Sequence, residues 1–305
     1  MSTTARVLVT GAGGQVGVDL LDVLNGTLPP GGDGDFQPDG RPIGADEFDV
    51  IGLTHHDLDV GDADAARRAV AATQPDVIVH LAAYTAVDRA EGEAAEAFRV
   101  NAGGTAALSD AAREFGAHLI AVSTDYVFDG EKGGAYVEDD DPNPLNVYGA
   151  SKLAGDRACR AVDTLVRTSW VMGTRGRGVI NVICQRARSG ETVRFVTDQT
   201  GTVTVAADLA RALATLVRER PGGVWHVANP PATTWYDVAA FVGATLGRPE
   251  GFAQPIVTSE LTPAPAASRP RRSDLDSSKW SARWQELPHW HDGVERLVRG
   301  LEAAT

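Results

Sequence analysis

The sequence predicts an α/β protein: a Rossmann-like, doubly wound parallel sheet with a smaller C-terminal lobe. Three observations point there. Short apolar runs alternate with helix-length segments over the first half of the chain. The first run passes directly into a glycine-rich turn and a helix. The 305 residues are too many for one simple core and suit two lobes. Strands alternating with helices in this way imply parallel pairing and right-handed crossovers.

The elements follow in order. Arg6–Thr10 has the pattern of a buried strand, and a helix runs from Gly14 to Asn25. Residues 26–46 are Gly-, Pro- and Asp-rich and aperiodic, which predicts a flexible surface insertion. Phe48–Leu53 resumes as a second strand, Ala63–Thr73 as a helix and Asp76–His80 as a third strand. Glu93–Phe115 reads as one long helix and His118–Ser123 as a fourth strand. A helix starting near Asn143–Asn146 comes next, then a fifth strand, Leu165–Ser169. After Trp170 the rhythm loosens. A helix at Val179–Ser189 and a short strand at Val193–Val196 precede a helix at Ala206–Arg218. A strand at Val224–Ala228 returns to the sheet. Residues 235–305 hold a helix at 235–246, a Pro-rich connection at 255–270 and two terminal helical pieces.

Composition narrows the function. Hydrophobic content of 43% and charged content of 23% are those of an ordinary globular protein. The net charge of −13 argues against non-specific nucleic-acid binding. An anionic ligand would need a local basic patch against that field. Cys159 and Cys184 read as buried structural thiols. The N-terminus lacks a signal-peptide apolar region and no segment is long enough to span a membrane, so a cytoplasmic location is expected. The acidic run Glu138–Asp141 reads as a solvated loop, its carboxylates lacking the spacing of a catalytic pair.

The most telling chemistry is Tyr148 with Lys152, four residues apart on one helical face. A free tyrosine, with a pKa of roughly 10, is a poor acid–base catalyst at neutral pH. A lysine one turn away, and the positive end of the helix, are expected to draw that value down. Lysine is scarce in this chain, at Lys132, Lys152 and Lys279, so one beside Tyr148 fits a role that Arg would fill less well. The pair suits proton transfer to a carbonyl or from an alcohol.

Its surroundings support that reading. Gly11, Gly14 and Gly17 form G-x-x-G-x-x-G between the first strand and the first helix. In that context the glycines allow a tight turn, close approach to a pyrophosphate and helix–strand packing. Gln15 and Val16 share the turn. The second strand ends Thr54-His55-His56-Asp57, with neither an acid nor an Arg at its tip, so the residues leave NADH and NADPH open. Asp59, followed by Val60, is placed to meet an adenine. Adjacent side chains diverge and no third ligand is near, so His55 and His56 are not expected to hold a metal but to sit in a solvated or 2′-phosphate-facing loop, and no metal site is predicted. The small residues Leu81-Ala82-Ala83 after the third strand let a cofactor lie flat. Ser123 and Thr124 are hydroxyls at the carboxyl edge of the fourth strand, where Thr124 can meet a substrate carbonyl. The expected division is a dinucleotide-binding part at 1–170, joined by 205–228, and a substrate lobe at 171–204 and 229–305.

Together, Gly11–Gly17, Ser123–Phe128 and Tyr148-x-x-x-Lys152 resemble an extended short-chain dehydrogenase/reductase. Pro144–Gly155, Arg167–Trp170, Thr233–Asp237 and Arg269–Leu275 look like the dTDP-4-dehydrorhamnose reductase family across nearly the whole chain. The resemblance implies NADPH or NADH as cofactor and a dTDP-deoxysugar as substrate. It implies Tyr148 as proton donor to the sugar C4 oxygen, Lys152 as its partner on the nicotinamide ribose, and Thr124 as the third catalytic group. It places Asn101 in support of the cofactor, and Thr85, Val87, Asp125, Tyr126 and Trp170 near the sugar. Some members bind Mg²⁺ between subunits, for which this sequence shows no ligand cluster; monomer and homodimer both fit. Val203 stands where the family usually has Pro, in Asp198–Thr204, which predicts a less rigid loop. Tyr126 stands where related dehydratases carry an acid, which counts against that activity. A ketoreductase of another deoxysugar and a non-catalytic cofactor-binding subunit are the alternatives.

Overall fold

The computed structural model describes residues 4–176 and 178–303. Its strands are β1 (Ala5–Thr10), β2 (Phe48–Leu53), β3 (Val77–His80), β4 (His118–Thr124), β5 (Thr164–Thr168), β6 (Val171–Met172), β7 (Val193–Val196), β8 (Thr200–Val205), β9 (Gly223–His226), β10 (Asn229–Thr234) and β11 (Ala253–Ile256). Its helices are α1 (Gln15–Leu24), α2 (Ala63–Thr73), α3 (Val87–Ala90), α4 (Ala94–Phe98), α5 (Gly104–Phe115), α6 (Val147–Asp156), α7 (Val179–Arg188), α8 (Ala206–Glu219), α9 (Trp235–Thr245), α10 (Ser278–Ser281) and α11 (Trp290–Ala303).

Six strands form one parallel sheet in the order β2-β1-β3-β4-β5-β9. Strands β3 and β5 are buried along their whole length, with His80 ending the apolar run of β3 and Arg167 interrupting β5. One face packs on α1 and α8 through Val7, Val9, Leu20, Leu209 and Leu213. The other packs on α2 and α5 through Leu8, Ile78, Leu108 and Leu119. The order reverses between β1 and β3, which opens a crevice at the carboxyl ends of the strands.

A second layer covers that edge. It holds a three-stranded sheet, β10-β8-β6, and the pair β11-β7. Met172, Ile183, Val203, Val242 and Leu297 fill its core. Strands β8 and β10 were not evident from the sequence pattern. Their threonines and prolines carry no alternation, and the register between them shifts midway. Val203 is therefore not in a loose loop. It lies in β8, fully buried and paired with Asn229, where a β-branched residue packs well.

Residues 26–46 also depart from expectation. They form no regular element, yet they are held at several points. Phe36 is 1% exposed and belongs to the main core beside α8. Arg211 donates to the Phe36 carbonyl at 3.1 Å. Arg218, itself nearly buried, pairs with Asp39 at 2.9 Å and Glu47 at 2.5 Å and also bonds the carbonyls of Arg41 and Pro42. The low apolar content hid an anchor made by one aromatic ring and two guanidinium groups. The acidic run is likewise partly engaged: Glu138 accepts from His226 N at 2.9 Å, and Asp140 pairs with Lys132. The helix read at 93–115 is continuous in direction but holds a π-helical turn at Arg99–Gly103. Cys184 is buried on α7, and burial pushes the half-buried Cys159 thiol up to about 12, so both are inert at neutral pH. Among the described residues no helix is long and apolar enough to cross a membrane.

Phe36→Ala is expected to cost about 3–5 kcal/mol, the usual range for emptying a core aromatic site. Urea unfolding checks it. A change within error would show that residues 26–46 are dispensable to the core.

Candidate active site

A cavity of about 850 Å³ runs along the crevice from the β1–α1 turn to Trp170. At one end stand Gly11, Gly14, Gln15, Val16 and Gly17; in the middle Leu81, Ala82 and Ala83; at the other end Thr124, Asp125, Tyr148, Lys152, Thr85 and Trp170. Asp59 and Val60 line the glycine end.

The glycine turn is set by close backbone approach. Gly11 has φ +71°, and a side chain there would meet Ala82 N at 2.5 Å. A side chain at Gly17 would meet the Gly11 carbonyl at 2.3 Å. The N-cap of α1 is Gly14, so no side chain caps its first amides. Uncapped amides at a helix start, facing a cavity of small residues, fit the pyrophosphate of a nicotinamide dinucleotide. Gln15 is committed elsewhere. Its carboxamide accepts from Gly173 N at 2.8 Å and donates to Arg175 O at 3.1 Å. Arg175 in turn reaches Asp19 at 3.2 Å and Asp22 at 2.7 Å, tying the segment after β6 to α1.

Tyr148 and Lys152 share the inner face of α6. Asn146 caps that helix, accepting from Gly149 N at 2.8 Å. Its amide donates to Ser268 O at 2.8 Å, so the helix start is fixed to the C-terminal segment. A side chain at Gly149 would meet the Tyr126 carbonyl at 2.1 Å, so α6 lies directly on the turn after β4. Thr124 ends β4 and accepts from Tyr126 N at 3.2 Å. Lys152 donates its Nζ hydrogen to Val122 O at 2.7 Å.

The electrostatics correct one expectation. The Tyr148 phenol is pushed above its ordinary value, chiefly by burial; the Thr124 hydroxyl opposes this, and the acidic groups of Asp125, Tyr126 and Asp156 add to it. Burial is the dominant cause, so the shift runs opposite to the one expected from the nearness of Lys152. Lys152 is pushed down by burial, against which Asp156, one turn further on α6, acts as counter-charge. The Asp125 carboxyl is pushed up to about 6 by burial, opposed by the Ser273, Thr124 and Ser169 hydroxyls. Ser273 donates to it at 2.5 Å and Thr124 at 3.1 Å. Burial also raises the Tyr126 phenol, to about 12.

Other predicted residues stand off the cavity wall. Asn101 is 1% exposed. Its amide donates to Tyr84 O at 3.1 Å and Ser151 Oγ at 2.9 Å and accepts from Tyr84 N at 2.8 Å. It ties the loop after β3 to α6 and does not line the cavity. Val87 begins α3 beside the site, and Tyr126 meets Tyr148 edge-on at 6.0 Å; neither is among the lining residues. Trp170 has φ 41°, a strained value for a bulky residue, and stacks on Trp235 at 4.2 Å. His55 and His56 do not diverge; their rings lie 3.7 Å apart. Among the described residues no group of three or more His, Cys, Asp or Glu could hold a metal ion. The sequence reading missed Leu58, Glu96, Arg99, Val100 and Ser169, all of which line the cavity.

Residues 40–303 match the family described as the RmlD substrate binding domain. The chain belongs to the dTDP-4-dehydrorhamnose reductase family. A dTDP-4-dehydrorhamnose reductase from Streptomyces griseus is 39% identical, covering 97% of this chain and 94% of that one. A dTDP-4-keto-6-deoxy-D-glucose reductase from Streptomyces niveus is 34% identical over 98% of this chain and 99% of that one. A crystal structure of dTDP-4-dehydrorhamnose reductase from Bacillus anthracis, in complex with NADP, superposes with a TM-score of 0.86 at 30% identity, covering 97% and 99% of the two chains.

The raised Asp125 value carries a consequence for the reductase fold. Between the ordinary value of 3.8 and about 6, the folded chain holds a proton that the unfolded chain has released. The Asp125 contribution to stability is therefore present at low pH and lost as pH rises through about 6. Asp125→Asn should gain stability relative to wild type between about pH 4 and about pH 7. Urea melts at the two values check it; a pH-independent difference would place the Asp125 proton elsewhere.

Proposed function

We propose that this chain reduces the C4 ketone of dTDP-4-dehydro-L-rhamnose to dTDP-L-rhamnose, with Tyr148 as proton donor. The observation that carries the reading is the gathering of Tyr148, Thr124 and Lys152 on the wall of a cavity that continues to an uncapped helix start. NADPH or NADH, when bound, supplies the hydride.

The residues then divide the work. Gly11, Gly14, Val16, Gly17 and the backbone of Gln15, with Leu81–Ala83, would hold the pyrophosphate and central part of the cofactor. Asp59 and Val60 would face the adenine. Tyr148 holds the proton at its Oη and releases it to the C4 oxygen as negative charge develops there. A phenol raised by burial keeps its proton until such a base appears. Thr124 orients the same oxygen, and the Lys152 ammonium offsets the phenolate left behind. Thr85, Asp125 and Trp170 would bound the sugar, with Val87 and Tyr126 behind them. The second layer, at 171–204 and 229–305, would supply the substrate lobe. Positioning and one proton are all the chemistry asks of the protein.

A second reading is reduction of a related dTDP-linked 4-keto-6-deoxysugar. The named activity of the Streptomyces niveus relative favours keeping it.

Loss of reduced-nicotinamide absorbance with dTDP-4-dehydro-L-rhamnose tests the proposal, run with NADPH and NADH. Oxidation with dTDP-L-rhamnose as product is expected; oxidation only with another 4-keto-6-deoxysugar would transfer the assignment to the second reading. Tyr148→Phe is expected to lower kcat by about 10²–10⁴-fold. Its cofactor affinity should stay within about two-fold, since the phenol acts on the sugar oxygen. Near-normal turnover would remove Tyr148 from the acid role. Lys152→Ala should weaken both cofactor affinity and rate.

A further inference from the structure

Around the adenosine end of the cavity, which His55, Asp59 and Glu96 line, the carboxylates are all hydrogen-bonded. Asp57 turns back on its own loop, accepting from Thr54 N at 2.9 Å and Thr54 Oγ1 at 2.7 Å. Asp59 accepts from Arg99 at 2.8 Å and from Gly61 N at 2.9 Å. Glu96 accepts from Arg99 Nε at 2.8 Å and Nη2 at 2.7 Å. The Arg99 guanidinium is thereby divided between two acids. The tip of β2, where an acid would grip a ribose 2′-hydroxyl, is Thr54, whose hydroxyl is committed to Asp57. The next residue, His55, is exposed, lines the cavity, and has no hydrogen bond among those found for the described residues. Its ring is steadied by His56, 3.7 Å away. Opposite stands Gly13, at which an added Cβ would lie 3.4 Å from the Thr54 methyl.

We propose that His55 recognises the ribose 2′-phosphate of NADPH and makes the chain select NADPH over NADH. The inference rests on the nicotinamide cofactor proposed above and does not depend on which sugar is reduced. An imidazole N–H is a donor of the right kind for a phosphate oxygen, and charge assists the bond when the ring is protonated. The carboxylate nearest His55 is Asp57, whose Oδ2 is held by Thr54 and whose charge is within reach of both imidazoles. The loop geometry supports the role, because Asp57 fixes the backbone on which His55 is mounted.

Calorimetric titration of the full chain with NADP⁺ and NAD⁺ tests this without turnover. Wild type should bind NADP⁺ about ten-fold or more tightly than NAD⁺. His55→Asp should lose about ten-fold or more of NADP⁺ affinity and bind NAD⁺ at least as well as wild type. His55→Arg should keep the NADP⁺ preference. Because His55 is exposed, these variants should fold, and circular dichroism checks that they do. Competition by 2′,5′-ADP against 5′-AMP isolates the phosphate itself. NADP⁺ affinity unchanged in His55→Asp, or a wild-type preference for NAD⁺, would overturn the inference. So would a preference lost in Arg99→Gln but kept in His55→Asp, which would move the phosphate to Arg99. Selective NADP⁺ binding with no ketosugar reduced would instead sink the proposed reaction and leave the His55 reading standing.

Discussion

The site depends on one buried cation. Lys152 sits 6% exposed with its ammonium on the Val122 carbonyl, near the end of a central strand. A charge so placed survives only with compensation. Asp156, one turn along α6, supplies it, and Arg167 on β5 balances Asp156 in turn at 3.5 Å. The chain of alternating charges thus runs from α6 into the sheet. It fixes the rotation of α6, and that rotation decides where Tyr148 points. The cap at Asn146 and the contact at Gly149 fix the same helix along its axis.

Everything around this helix is arranged to keep it dry and still. Thr124 and Asp125 belong to the turn on which α6 rests, and Ser273 reaches in from the C-terminal segment to hold Asp125. Asn101 binds the loop after β3 to Ser151 on α6. The π-helical turn at Arg99–Gly103 places Asn101 for that bond while Gly104 passes close over Val60. Three distant stretches of sequence therefore converge on ten residues of helix. Burial there pushes the Tyr148 phenol above its ordinary value, the reverse of what its nearness to Lys152 suggests in isolation.

Much of this was legible in the sequence because it depends on short spacing. Tyr148 and Lys152 share a face by helical periodicity, the glycines of the first turn stand within seven residues, and Thr124 closes an apolar run. The six-stranded sheet followed from alternation of apolar runs and helices. What was hidden depends on pairing across long separations. Ser273 with Asp125, Gln15 with Gly173, and Arg218 with Asp39 have no local signature. Strands β8 and β10 escaped because their pattern is polar and their register shifts. The sign of the Tyr148 shift escaped for a related reason: spacing reveals a neighbour, but not how much water has been removed.

The strained Trp170 has a counterpart thirty-one positions along the chain. At Gly201, the indole lies 2.6 Å from where a Cβ would be. The missing side chain is what gives the ring its place between β8 and Trp235. The two positions are therefore one unit of inheritance. A lineage that enlarges residue 201 must first surrender the indole, and one that shrinks residue 170 is released from glycine. The shape of the cavity wall at Trp170 can then drift along paired steps that single substitutions do not reach.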